Sequence, residues 1–324
     1  MKSMIKTHSA ARAAWMYYIT GNTQYQIADC LGVSRQVVQR LIASASADNL
    51  ISFQIMHPVA DCQKLSSALV LKYNLQFCQV VPSAGLSSEA CQKMVISAAA
   101  SVMTSLLSAT PEMTVALGSG RTLRASIEKM PDLTCSRHHC VSLLGAMTAD
   151  GTTTRYDVPL CMAEKTGGKY FIVPAPMFAD NAQDRDHWCN NRIYKTVIEK
   201  VREADMTFLG IGDIAQNCPL FHQGFINREE LERLLKQGAV AEVVGHIINE
   251  SGALIKSELQ QRLTSIALPT FPVRPTLAFA GGAEKHRAIE AVLKGGWISG
   301  LVTDEEAARH LLRSEWPERK TLYD

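Results

Sequence analysis

Residues 23–44 constrain this chain more than any other stretch. They open Thr23-Gln-Tyr-Gln-Ile-Ala28-Asp-Cys-Leu-Gly32-Val-Ser34-Arg-Gln-Val-Val-Gln-Arg40-Leu-Ile42. Ala28 stands four residues before Gly32, with apolar residues at Ile27, Leu31, Val33, Val38 and Leu41. Two helices that cross steeply need a small residue where they touch and a glycine where the chain turns. Thr23 with Gln26 three residues on can form a capping box for the first helix, and Ser34 can cap the second. The pattern predicts a helix-turn-helix. Behind Ser34 comes a face of Arg35, Gln36, Gln39 and Arg40, side chains suited to the base edges and phosphates of duplex DNA. Ala11, Ala14, Trp15, Tyr18 and Ile19 predict the apolar face of a packing helix before Gly21. The alternation in Ile51-Ser-Phe53-Gln-Ile55 predicts a short strand or wing. A plain helical hairpin inside a larger fold is the competing reading.

Charge separates this head from the rest. Residues 1–56 hold Lys2, Lys6, Arg12, Arg35 and Arg40 against Asp29 and Asp48, a net +3 in a chain whose total is +2. A basic small module on a nearly neutral body suits a DNA reader; Lys2, Lys6 and Arg12 are phosphate contacts or solvated charges. The 324 residues are enough for two domains, expected at 1–56 and 57–324 with a junction near Met56–Asp61. No run of about 18 apolar residues is evident, and the N-terminus lacks a hydrophobic signal core. No membrane span is expected, and the cytoplasm is the expected location. Nine cysteines are scattered without CxxC pairs, and Cys30, Cys78 and Cys91 sit among apolar residues, as reduced thiols do. Cys135, His138, His139 and Cys140 lie within six residues. That is too tight for an ordinary structural zinc site, and Cys140–Leu144 looks like a buried strand, so no metal is expected.

After a helix from Cys62 to Tyr73, whose Leu65, Leu69 and Val70 suit a core or a partner subunit, short apolar runs alternate with amphipathic segments. Strands are expected at Phe77–Val81, Thr114–Leu117, Cys140–Leu144, Tyr170–Val173, Met206–Ile211, Thr276–Ala280 and Trp297–Val302. Helices are expected at 87–107, 121–129, 184–203, 283–293 and 304–313. Apolar strands in this alternation predict an α/β fold with a mainly parallel sheet covered by helices on both faces.

Ligands of such sheets collect at the carboxyl ends of strands. There Val115-Ala-Leu-Gly118-Ser119-Gly120-Arg121-Thr122 runs from strand through a glycine loop into a helix, whose free N–H groups suit a phosphate or another anion. A tight turn without ligand is the alternative. Leu209-Gly-Ile-Gly212-Asp213 and Phe279-Ala-Gly281-Gly282-Ala-Glu-Lys285 end two more strands, and Lys285 can reach an anion held by the amides. Ser299 to Glu305 ends another, where Thr303 or Asp304 is more simply a helix cap. Gly238-Ala-Val-Ala-Glu242 is expected to begin a helix, with Glu242 either accepting hydroxyls or complementing the helix dipole. Arg262 is an anion clamp or a surface charge.

Together these segments resemble the SorC family of bacterial sugar-responsive transcription regulators. The similarity spans nearly the whole chain. It runs from Tyr17-Tyr18 and Ser34-Arg35 through Leu117-Gly118-Ser-Gly120-Arg-Thr122, Val173-Pro-Ala-Pro176, Leu209-Gly-Ile-Gly212 and Gly238-Ala-Val240. It ends with Ala280-Gly-Gly-Ala-Glu-Lys285 and Gly296-Trp-Ile-Ser-Gly-Leu-Val-Thr303-Asp304. The resemblance implies a winged helix-turn-helix joined to an effector domain like sugar-phosphate isomerases and deaminases. It further implies a homo-oligomer, usually a tetramer, released from or fixed to double-stranded operator DNA by a sugar, polyol or sugar phosphate. By that analogy the loop at 118–122 and Lys285 hold a phosphate and Glu242 faces the sugar, with Asp213 nearby. The family's usual Gly-Asp after Gly-Ala-Val is Ala241-Glu242 here, and its Asn-x-Arg is Gln260-Gln261-Arg262, which leaves free polyols open as effectors. No cofactor or catalytic residue is implied. The rival reading is an isomerase- or deaminase-type enzyme with a helical appendage, in which Asp213, Glu242 and His246 supply acid–base chemistry.

Overall fold

The computed structural model describes residues 2–48, 50–51, 60–147 and 157–313, without the side chains of 2–6, 60 and 146. The chain forms two compact units, Met1–His57 and Pro58–Asp324.

The first unit contains α1 (Lys2–Tyr18), α2 (Gln24–Leu31) and α3 (Arg35–Ala47). Thr23 and Gln26 form the expected capping box, and Gly32 ends α2 at φ 64, in the left-handed region. Ser34 caps α3. Ile27, Ala28, Val38 and Ile42 are buried together with Ala13. The packing face of α1 is rotated from the expected one. Ala10, Ala13 and Ala14 are buried, whereas Trp15, Tyr18 and Ile19 are exposed. Alanines leave room for the backbones of α1 and α3 to approach, with Ala10 and Ala14 against Ala45; aromatic bulk would hold them apart. Val33 is likewise at the surface. Residues 52–55 of the expected wing, and most of the expected junction, lie outside the described residues.

The second unit runs α4 (Ala60–Tyr73), β1 (Phe77–Val81), α5 (Ser88–Ser108), β2 (Thr114–Leu117), α6 (Arg121–Lys129), β3 (His139–Met147), α7 (Val158–Thr166) and β4 (Lys169–Pro176). It continues with α8 (Ala182–Asn190), α9 (Arg192–Arg202), β5 (Met206–Gly210), β6 (Gly212–Asp213), α10 (Pro219–His222), α11 (Arg228–Lys236), β7 (Ala239–Val243) and β8 (His246–Asn249). Then come α12 (Glu258–Arg262), β9 (Thr276–Phe279), a 3₁₀ turn (Ala283–Lys285), α13 (His286–Lys294), β10 (Gly300–Asp304) and α14 (Glu305–Arg313).

Seven strands form one sheet in the order β1-β10-β9-β5-β2-β3-β4, and each neighbouring pair is parallel. Alternate residues feed two cores, because successive side chains on a strand point to opposite faces. Val115, Leu117, Phe208, Leu277, Phe279 and Val302 pack with α5, α6 and α7. Ala116, Leu209, Ala278 and Leu301 pack with α4, α13 and α14. Val141, Val173 and Ala175 meet Tyr194 and Val197 of α9. The fold is α/β with helices on both faces, as the apolar strands predict. Leu69 of α4 is in this core, whereas Leu71 is exposed.

Several expectations need correction. Residues 238–242 do not start a helix: β7 and β8 form a hairpin, joined antiparallel to β6 in a separate small sheet. The turn puts Val244 at φ 54 and Gly245 at φ 83, the paired left-handed conformation that tight hairpins use. The long helix expected at 184–203 breaks at Asn191, whose side chain accepts from the Ile193 amide and restarts the chain as α9. The last strand begins at Gly300 rather than Trp297, because Ser299 instead bonds across to Thr276. Asp304 is a cap: its carboxylate accepts the N–H of Ala307 at 2.9 Å and that of Gly282 at 2.8 Å. By length and composition α5 could cross a membrane, against the expectation of no such segment. Its Val95, Ala99, Met103 and Leu107 are instead buried against the sheet and α6. All nine cysteines are free, and Cys30 is exposed rather than lodged among apolar residues.

Candidate functional site

The first unit presents Ser34, Arg35, Gln36, Gln39 and Arg40 at the surface. Their spacing of one and four residues keeps the four long polar side chains on one side of α3. Val38, Ile42 and Ala45 anchor the other side. Ser34, expected to cap this helix and named with the DNA-binding residues, accepts the Val37 amide and so fixes the start of α3. Arg12 is exposed as well. The first turn of α2 brings Gln24 and Tyr25 onto Arg35, two residues that sequence reading passed over.

In the second unit a cavity of ≈ 60 Å³ opens at the carboxyl ends of the sheet strands, room for a few waters in its present shape. Neighbouring β2 and β5 both end in glycine loops there. Gly210 has no room for a side chain, since a Cβ would stand 2.6 Å from the Ser119 carbonyl. Gly120 sits at φ 130 and precedes α6 with no side-chain cap, so the first amides of that helix are free of a capping side chain, the arrangement suited to an anion. Ser119, Gly120, Arg121 and Thr122 line one wall. Lys285, from the 3₁₀ turn after β9, lines another and donates to the Ile211 carbonyl at 2.8 Å. Glu242 reaches the cavity from β7, opposite Gly212, and its carboxylate accepts the Gly245 N–H. Met177, Leu220, Phe225 and Val244 supply the apolar wall, with Gln223 at its edge.

The two facing charges are both pushed toward neutrality. Burial raises the Glu242 carboxyl above its usual range; the Gly245 N–H and the Lys285 charge oppose that, and Asp213 adds to it. Burial lowers Lys285; Asp213 opposes that shift, while Arg121 reinforces it. An incoming ligand therefore meets one donor-rich wall and one acceptor whose charged forms are poorly solvated without it.

Ser119, Gly120, Arg121, Thr122, Glu242 and Lys285 are thus gathered around one space. Two expected residues lie off its lining. Gly118 continues the β2–β5 ladder, its N–H donating to Phe208 at 2.9 Å. Asp213 instead lines a separate pocket with Glu250, Glu284 and Arg287, and its charge bears on both Glu242 and Lys285. Arg262 is engaged elsewhere, pairing with Glu230 at 2.7 Å and donating to Ala179 at 2.6 Å. His246 is buried, with Nε2 on the Ile266 carbonyl, Nδ1 facing the Gln260 amide and its ring stacked on Trp297. Nδ1 thus accepts and Nε2 donates, a neutral imidazole with no free nitrogen for acid–base work. At the Cys135–Cys140 turn, His138 and Cys135 both bond Leu107. Among the described residues no His, Cys, Asp and Glu cluster could hold a metal ion. Met177 follows β4, and Leu220, Gln223 and Phe225 come from α10 and the turn after it; no local pattern marks them.

The chain thus joins a helix-turn-helix unit to a parallel α/β unit with a part-polar cavity at its strand ends. Residues 57–313 match the family described as "Putative sugar-binding domain". The chain is 33% identical over 304 residues to the erythritol catabolism regulatory protein EryD of Brucella abortus, covering 94% of this chain and 96% of that one. It is 29% identical over 320 residues to the transcriptional regulator LsrR of Escherichia coli K12, covering 97% of each. The full-length sorbitol operon regulator SorC of Klebsiella pneumoniae shares the fold with a TM-score of 0.77 at 24% identity, over 94% of this chain and 98% of that one. The chain belongs to the SorC family of sugar-binding transcriptional regulators.

Proposed function

We propose that residues 1–56 bind duplex operator DNA and that residues 57–324 bind a small polyol or sugar, free or phosphorylated, that controls a carbohydrate or polyol catabolic operon. Arg35, Gln36, Gln39 and Arg40 enter the major groove, with Ser34 fixing the helix start. Ser119, Gly120, Arg121, Thr122 and Lys285 hold the anionic or hydroxyl-rich end of the effector, and Glu242 accepts its hydroxyls. Gly118 and Asp213 shape this site from behind. The carrying observation is the cavity itself, where uncapped helix amides and Lys285 face Glu242 across a space walled by Met177 and Phe225. The relative named for erythritol catabolism points to a short polyol. The protein acts as a cytoplasmic homo-oligomer, a tetramer whose symmetry pairs operator half-sites. It does not catalyse turnover; the engaged nitrogens of His246 count against the isomerase or deaminase reading.

The test is fluorescence anisotropy of the purified protein on the DNA upstream of its own gene. Erythritol, other short polyols and their phosphates are added in turn. One of them is expected to shift operator affinity about 5- to 150-fold, the range of ordinary coupling energies. Equal affinity for this fragment and random duplex under every condition would refute the reading, and turnover of a sugar phosphate would favour the enzyme.

A further inference from the structure

Arg35 opens the exposed face of α3, yet its guanidinium is not loose. Its Nε donates to the Gln24 side-chain oxygen at 3.2 Å. Its Nη1 donates to the Tyr25 hydroxyl at 3.3 Å. The guanidinium carbon also lies over the Tyr25 ring, 4.9 Å from its centre, within the range of cation–π attraction. Both partners stand in the first turn of α2. That turn is itself fixed, because the Thr23 and Gln26 side chains each bond the other's backbone N–H. Tyr25 is 65% exposed and supports no core.

A guanidinium carries five N–H donors in a planar fork. The two bonds occupy Nε–H and one hydrogen of Nη1. What remains is one Nη1 hydrogen and both on Nη2, enough for a two-donor contact. Two parallel donors at the end of the fork match the O6 and N7 acceptors of guanine in the major groove. Holding a long side chain in place before binding also removes an entropy cost at the moment of binding.

We propose that Gln24 and Tyr25 are positioning residues that aim Arg35 end-on at one guanine of the operator, so that sequence discrimination at that base depends on side chains of the neighbouring helix. This rests on the assignment of the α3 face to DNA. The test uses the full-length protein and the fragment upstream of its own gene, with each G·C pair replaced in turn by A·T. Arg35→Ala identifies the pair by abolishing preference there. Tyr25→Ala and Gln24→Ala are then expected to reduce preference at that same pair by about 3- to 10-fold. Preference at other pairs, the salt dependence and the melting temperature stay as in the parent. Tyr25→Phe keeps the ring but not the acceptor and is expected to lose less than Tyr25→Ala. In the Arg35→Ala background, Tyr25→Ala is expected to change nothing further.

Full preference in both Tyr25→Ala and Gln24→Ala would overturn the proposal. So would a further loss from Tyr25→Ala when Arg35 is already absent, since Tyr25 would then touch DNA by itself. If Arg35→Ala leaves discrimination intact, or the parent shows no operator preference, the underlying DNA assignment fails first and the positioning role falls with it.

Discussion

Glu242 combines a buried carboxyl with a hydrogen bond from a strained hairpin. Because burial raises its pKa above 4.5, the folded protein holds more protons than the unfolded chain in the window just above that value. Stability therefore falls as pH climbs through the window, and the deficit is complete above it. Glu242→Gln removes the deficit while keeping an acceptor for Gly245. The variant is expected to melt above the parent near neutral pH, with the gain shrinking toward pH 4.5; a pH-independent gain would locate the effect in packing instead. Lys285→Ala is expected to leave effector-free DNA binding unchanged and to weaken the response to a phosphorylated polyol about 10- to 100-fold, as loss of a charged hydrogen bond does. An undiminished response would take the lysine out of the effector contacts. Gly210→Ala is expected to destabilise the second unit by about 1–3 kcal/mol, because the added carbon meets the Ser119 carbonyl, measurable by denaturant unfolding.

At the scale of elements, the short helix α2 depends on its cap. Thr23→Ala is expected to cost about 1 kcal/mol of first-unit stability, read from amide exchange of residues 27–31, where unaltered protection would show the cap to be dispensable. This helix was legible because caps, a turn glycine and helical spacing are all local. The seven parallel strands were legible as continuous apolar runs for the same reason. The misreadings share another cause. The buried stripe of α1 is made of alanines, which carry little hydrophobic weight, so Trp15 and Ile19 outvoted Ala10 and Ala13. Ala239–Val243 reads as helix by composition and becomes a strand only because β8 folds back on it. Ser119 to Thr122 and Lys285 could be placed from their strand ends, but Met177 and Phe225 meet them only through the tertiary arrangement.

For the molecule as a whole, a ligand that binds only the folded second unit should raise its stability by about 2.7 kcal/mol at a hundredfold excess over Kd. Calorimetry with erythritol and its phosphates, over a range of concentrations, would show a melting temperature that climbs with effector; a flat response to all of them would remove short polyols as ligands. The strand order carries a second consequence. β1, which follows α4 near the start of the second unit, pairs with a single strand, β10, near its far end. A nascent chain that has not yet emitted residues 300–304 leaves β1 with both edges unsatisfied. The early part of this unit must wait for synthesis of the late part, and a stalled or clipped polypeptide ending before Gly300 would expose a sticky ribbon that invites aggregation.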